Sequence, residues 1–548
     1  MKNNNLILVI ARASGTKEIS RQNLRLVSGK PLLYYVLKTS LSCSNCSTFV
    51  STDSDEIEAY SKFYGVKTIR RGKRLTKDNT SLEDIARDAL KKLNKKGLSF
   101  KKCLIIHPHF PLIKKQTINK FFSQLDKKIH VISGFVNESK SDKHYGYFKK
   151  QKNYPKLIKI QNEVIEIKKI VSFDCQTLLK KEKVEKQIYG LEISKDEVFS
   201  PYNYHEFESL ESMMNRKKII VRVDGDKNIG LGHVYNMLTI LNNFRNEDIL
   251  ILMNSKKNLG YKKFKEHLYN VKFFGDTKEF WTIIDKFKPN LIFNDILSTT
   301  SKYVNNLKLR GIFVVNFEDL GNGRKYANLV FNPIFESKKQ LKNEFYGSKY
   351  ACVREEFRIF KREAIRNEVK KIGITFGGID EKNNTCKILS IINQFQILKN
   401  VEIQIILGLG YMHKKKFEKI IEKMKKNDYK IKFTEKANML SKYLVDCDFV
   451  IASNGRTVFE VASLKIPIIS LSVNKREKQH NFVKRSCVGY NIDFSRKNSE
   501  SVLKRNIEKM MMISTRRKFM KNLDKEDLLK GINRVTEKIL SEYDKIKI

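Results

Sequence analysis

The stretch VDGDKNIGLGHVYNMLTIL, Val223 to Leu241, carries an apolar strand through a glycine-containing turn into an amphipathic helix that opens on a histidine. Gly230 and Gly232 let the chain turn tightly after the strand. His233 then falls on the first turn of the helix, where a side chain faces the crevice at the strand C-termini. The helix dipole disfavours an imidazolium there and leaves a neutral ring able to accept a proton. A lone histidine at a helix start is more often a cap or a packed residue, so the surrounding pattern has to decide.

Outward from this stretch, short apolar strands alternate with helical patterns over most of the chain, which predicts parallel α/β domains. LILVIA, PLLYYVLKTSL, STFVSTDSDEIEAYSKFYG and CLIIHPHFPL belong to a first series, and HEFESLESMMNRKK closes it as a helix and linker. A second series starts at KIIVRVDGD and runs through DILILMN, NVKFFG, LIFNDI and GIFVVNFEDL. After the charged stretch REEFRIFKREAIRNEVKK, a third runs through ITFGGID, VEIQIILGLG, YKIKFTE, DFVIAS and IPIISLSV. No internal repeat of 20–50 residues is present. The expected domains are 1–215, 217–365 and 366–548, in keeping with the roughly two to four that 548 residues imply.

The chain has 107 Lys+Arg against 60 Asp+Glu, a formal charge of +47. The excess is spread along the chain with no nucleic-acid motif, so a specific nucleic-acid partner is not expected. Cys43 and Cys46 form the one C-x-x-C among 8 cysteines, without a second pair or histidines at zinc spacing. Free thiols in a reducing cytoplasm are expected. The apolar run of Met1 to Gly15 is too short for a signal peptide, and no window is long enough for a membrane span.

ARASGTKEISRQN, Ala11 to Asn23, is a basic, polar loop directly after the first strand, the setting in which backbone N–H groups and cations wrap nucleotide phosphates. It resembles the A-R-x-G-S-K-x-I-x-x-K-N signature of acylneuraminate cytidylyltransferases, and SGKPLLYYVLKTSL, FVSTDSDEIEAYSKFYGVKTIRR, LTKDNTS and HPHFPL continue the likeness in family order. The resemblance implies a nucleotidyltransferase-type Rossmann-like domain that binds CTP through Arg12, Ser14, Gly15, Lys17, Asn23, Asp53 and His107 and activates a nonulosonic acid, with Mg²⁺ as cofactor. It also allows a homodimer through this domain. Three departures stand out: Gln22 replaces a family lysine, His107 a glutamine, and Ser200 and Tyr202 fall where the family has its metal-binding Asp-x-Asp. Asp196 and Glu197 lie just upstream.

Arg222, Asp224 and G-L-G-H resemble the R-x-D-x-x-x-x-x-G-x-G-H pattern of UDP-sugar hydrolases of the pseudaminic and legionaminic acid pathways, which are similar in fold to GT-B glycosyltransferases. Asn236 stands where that family usually has arginine. Gly377 and Gly378 in ITFGGID form a phosphate-facing turn before a helix starting near Asp380. IASNGRTVFEVASLKIPIISL resembles the family's nucleotide segment, which implies Asn454, Gly455, Arg456 and Thr457 at the pyrophosphate and Glu460 at the ribose; Gln479 and Asn481 match part of a nucleotide-sugar loop. The implied reaction needs no metal: His233 deprotonates a water that attacks the anomeric carbon of a UDP-linked amino sugar, giving a diacetamido sugar and UDP.

The two resemblances fall in one pathway and imply a bifunctional cytoplasmic enzyme. The alternatives are a glycosyltransferase in the second half, or a first domain that binds without catalysis.

Overall fold

A computed structural model describes residues 4–12, 19–76, 80–125, 130–137, 164–180, 188–225, 230–254, 259–335, 341–360, 362, 364–435, 437 and 439–547. The chain divides into two compact units, Met1–Arg216 and Lys217–Ile548.

The first unit is built on a seven-stranded sheet in the order Lys67–Arg70, Cys46–Thr52, Asn5–Ile10, Lys102–Ile106, Val164–Asp174, Val131–Asn137, Ile188–Glu192. The first four strands are mutually parallel, and Val164–Asp174 runs antiparallel to its neighbours on both sides. Leu6 to Ala11 are buried on both faces, which is why the strand reads as an unbroken apolar run. Ser54 caps the helix Asp55–Phe63 by accepting from the Ile57 N–H, and Asp55, Glu56 and Glu58 complement its positive end.

The second unit holds two all-parallel sheets. Asn270–Phe273, Asp248–Met253, Lys218–Val223, Leu291–Asp295, Phe313–Phe317, Leu329–Asn332 and Glu344–Tyr346 lie in that order in one. Ile431–Glu435, Glu402–Leu407, Lys371–Thr375, Phe449–Ser453, Ile468–Ser472 and Gly489–Asp493 make the other. This is the α/β class expected, one mixed sheet followed by two parallel sheets in tandem.

One boundary needs correction. The last helix, Gly531–Lys547, does not complete the domain that begins near residue 366. Its Ile532, Val535, Ile539 and Tyr543 pack into the core of the preceding sheet with Ile219, Leu291 and Phe313. The rings of Phe313 and Tyr543 meet edge-on at 5.6 Å. Gly531 makes the return feasible, because a Cβ there would lie 2.0 Å from the Ala351 carbonyl oxygen. The chain therefore crosses between the two halves of this unit twice.

Candidate active site

The cleft between the two sheets of the second unit has a volume of about 580 Å³. It lies beyond the C-terminal ends of the central strands, where open parallel sheets bind ligands. Gly230, Gly232, His233, Gly377, Gly378, Asn454, Gly455, Arg456, Thr457 and Glu460 all line it, so the structure gathers ten of the expected residues from three separate segments.

His233 sits on the first turn of the helix Gly232–Leu241 and is 3% exposed. Its Nδ1 lies 2.5 Å from Oδ1 of Asp295, the last residue of the strand Leu291–Asp295. Asp295 is fully buried. Burial opposes its ionisation, but His233, Arg456 and Asn236 more than offset this and hold the carboxyl below the usual carboxylate range. An ionised Asp295 fixes the tautomer with the proton on Nδ1 and leaves the Nε2 lone pair facing the cleft.

The dyad belongs to a larger circuit. Asn236 Nδ2 donates to Asp295 Oδ2 at 2.7 Å, and Arg456 donates to Asn236 Oδ1 at 2.6 Å. Arg456 forms an ion pair with Glu318 at 2.6 Å. Glu318 also accepts from Arg476, whose other nitrogen donates to His233 Nε2 at 3.1 Å. The circuit closes on itself and joins the two halves of the unit. Asn236, the departure from the family arginine, thus bridges the aspartate and Arg456.

The nucleotide-type loops lie opposite. Gly377 has φ +72°, a conformation glycine adopts without strain, and a Cβ on Gly408 would come within 2.2 Å of the Gly377 oxygen. The following helix begins at Asn384, not near Asp380 as the sequence suggests. Asp380, at φ +46°, instead turns its carboxylate onto the N–H groups of Asn384 and Thr385 and caps the helix. Glu460 lies in the helix Thr457–Ser463 and accepts from Arg354 Nε at 2.7 Å, and Arg354 stacks over Tyr235 of the histidine helix. Asn454 does not offer its amide to the cleft: Nδ2 holds the carbonyls of Glu477 and His480 and the Ser472 hydroxyl, so it orders the loop behind the site.

Three expected ligands fall elsewhere. Arg222 pairs with Asp224 at 2.5 Å and lies over the Phe274 ring, while Asp224 accepts from the Asn254 N–H; this pair braces the strand ends outside the cleft lining. Gln479 ends a short helix, and Asn474, Arg476 and Glu477 of the same segment reach the cleft in its place. Asp295, Glu318 and Arg476 carry no motif and enter the site only through the fold. Their signal in the sequence is slight, an acid closing LIFND and another after FVVNF.

In the first unit, Ser14, Gly15 and Lys17 lie outside the described residues. Asn23 Nδ2 donates to the Arg12 carbonyl at 3.0 Å, which ties the loop's two flanks together. Arg71, the last residue of the FVSTDSDEIEAYSKFYGVKTIRR stretch, is buried and donates to the Ala11 and Ser51 carbonyls, clamping the strand ends that carry Arg12 and Asp53. His107 meets His109 ring to ring at 5.8 Å. Gln22 is fully buried and donates to the Pro201 carbonyl. Glu197 accepts from the Lys114 N–H, and Glu206 from the Tyr202 N–H and the Asn203 amide. Among the described residues no group of three or more His, Cys, Asp or Glu side chains could hold a metal ion. Ser200 and Tyr202 stand at the expected Mg²⁺-ligand positions and supply no carboxylate there. No described helix is long and apolar enough to cross a membrane.

Residues 6–222 match the family model described as Cytidylyltransferase. The N-terminal unit is cytidylyltransferase-like. Beyond this unit's family match, the chain is 28% identical over 281 residues to an uncharacterized protein of Methanocaldococcus jannaschii, covering 48% of this chain and 57% of that one. It is 29% identical over 131 residues to CMP-N,N'-diacetyllegionaminic acid synthase of Legionella pneumophila, covering 24% of this chain and 54% of the relative. It is 21% identical over 261 residues to the spore coat polysaccharide biosynthesis protein SpsG of Bacillus subtilis, covering 45% and 75%. The chain thus spans about half the length of the first two relatives.

Proposed function

We propose that the chain is a bifunctional enzyme of nonulosonic-acid biosynthesis, in which the second unit hydrolyses a UDP-linked amino sugar and the cytidylyltransferase-like unit handles CTP and the nonulosonic acid. The observation that carries the hydrolase reading is the His233–Asp295 pair on the wall of a cleft whose opposite wall is made of Gly377, Gly378 and the loop opening the helix Thr457–Ser463.

The chemistry follows from that geometry. Nε2 of neutral His233 takes a proton from a water as its oxygen bonds to the anomeric carbon. The carbon–oxygen bond to the diphosphate breaks, and UDP leaves with the electron pair. Asp295 stabilises the imidazolium that forms and keeps the ring oriented. Arg456 and the backbone N–H groups of the glycine turns offset the charge developing on the leaving group. Glu460, steered by Arg354, accepts from the ribose hydroxyls. The names of the legionaminic acid synthase and spore coat polysaccharide relatives support a place for the chain in the biosynthesis of such sugars.

A second reading of the first unit is favoured by its side chains. Glu197 and Glu206 are engaged with Lys114, Tyr202 and Asn203, and Gln22 is bound to the Pro201 carbonyl. On this reading the unit binds nucleotide without transferring it. CTP binding without pyrophosphate release on adding a nonulosonic acid supports this second reading; pyrophosphate release refutes it. For the second unit, a panel of UDP-amino sugars is incubated without acceptor and products are read by NMR. Free sugar plus UDP supports the hydrolase, and UDP release only with a hydroxyl acceptor makes it a glycosyltransferase.

A further inference from the structure

General-base chemistry at His233 makes no use of Glu318, yet this carboxylate is paired with two arginines in the cleft. It is 2% exposed, directly follows the strand Phe313–Phe317, and sits at φ +53°, a left-handed conformation that strains a non-glycine residue. Strained residues of this kind persist where the surrounding structure over-determines them and cluster at ligand sites. Among the described residues, the two other left-handed non-glycine positions of this cleft wall are Leu297 and Asp380.

Each oxygen of Glu318 faces a guanidinium. Arg456 pairs with one and Arg476 with the other, and both arginines come from the opposite half of the unit. Two arginines converging on one pair of oxygens form a built anion site, matched in geometry to carboxylate or phosphate alike. The same Arg476 donates to His233 Nε2, so the lone pair needed to receive a proton from water is already occupied. The base cannot act while the circuit is closed.

We propose that Glu318 is an internal stand-in for the diphosphate of the substrate: it holds Arg456 and Arg476 until a nucleoside diphosphate displaces it and draws Arg476 away from His233. Water activation is thereby tied to occupancy of the donor site. Arg476 becomes the second cation on the leaving group, and Glu318 a positioning residue that competes with the ligand. This rests on the reading of the cleft as a nucleotide-sugar site.

The two roles predict effects of opposite sign. Removing the charge of a competing acid strengthens anion binding, whereas an acid needed in the bound state weakens it when lost. The test is calorimetric titration of the full chain with UDP and, separately, with uridine. Glu318→Gln is expected to tighten UDP about tenfold, and Arg476→Gln to weaken it about tenfold, with uridine affinity unchanged in both. Weaker or unchanged UDP binding by Glu318→Gln, with the unaltered chain still binding UDP, overturns the stand-in and leaves the proposed function intact. A chain that binds neither UDP nor uridine overturns both. Should Glu318→Gln fail to fold, judged by the fluorescence of Trp281, Arg476→Gln decides alone: equal loss of UDP and uridine affinity refutes the anion role.

Discussion

Acidification should loosen the second unit through one residue, His480. Its side chain is buried against the rings of Phe459 and Phe482, with Nδ1 3.0 Å from the Asn454 carbonyl oxygen. Burial pushes its pKa down from 6.5 to about 4. The unfolded chain therefore binds a proton at this position below about pH 6.5 that the folded chain refuses until about pH 4. Stability is complete above the higher value and falls as pH drops through this window, by about 3 kcal/mol at pH 4. The assay is urea unfolding at a series of pH values, followed by tryptophan fluorescence. The chain has 1 tryptophan, Trp281, in the helix Thr277–Phe287, so the signal reports the second unit alone. His480→Gln should flatten the acid limb by that amount. Parallel pH profiles for the two proteins would refute the reasoning. The consequence reaches the site, because Asn454 and His480 hold each other's backbone and Asn454 opens the nucleotide-type loop.

Other expectations follow from the same geometry. Asp295→Asn should lower kcat about a thousandfold with KM little changed, since an amide neither fixes the tautomer nor stabilises the imidazolium; steady-state kinetics measure this, and an unchanged kcat would remove the dyad from the chemistry. Glu460→Ala should weaken UDP about tenfold while leaving pyrophosphate affinity as it was, measured by calorimetry, because its partner is the ribose. Gly408→Ala should cost about 1–3 kcal/mol in urea unfolding and weaken UDP, since the added carbon collides with the Gly377–Gly378 turn at 2.2 Å.

Much of the fold is legible in the sequence because parallel strands covered on both faces carry runs of apolar residues. KIIVRV, LIFND and FVVNF announce themselves this way, and the glycine-flanked turn before His233 marks where a strand hands over to a helix. The site is legible only in its local parts. His233, the Gly377–Gly378 turn and the Arg456 to Glu460 segment each carry a signal within a few residues. The partners do not: Asp295 lies 62 positions from His233, and Arg476 lies 243 positions away, so only the tertiary fold unites them. Asp295 reads in sequence as an ordinary strand-terminal acid, and Arg476 as one cation among many. The last helix shows its amphipathic face plainly, but nothing local says which of two sheets receives it. Asp380 shifts the apparent helix start by one turn, because a capping carboxylate and a first helical residue look alike without the backbone.

The central claim is that His233 activates water against a nucleotide sugar. The most direct test is UDP release from the UDP-amino sugar that the panel selects, with no acceptor present, by the unaltered chain and by His233→Ala. Steady release by the former, none by the latter, and equal UDP affinity in both are expected. Equal turnover by His233→Ala would contradict the claim.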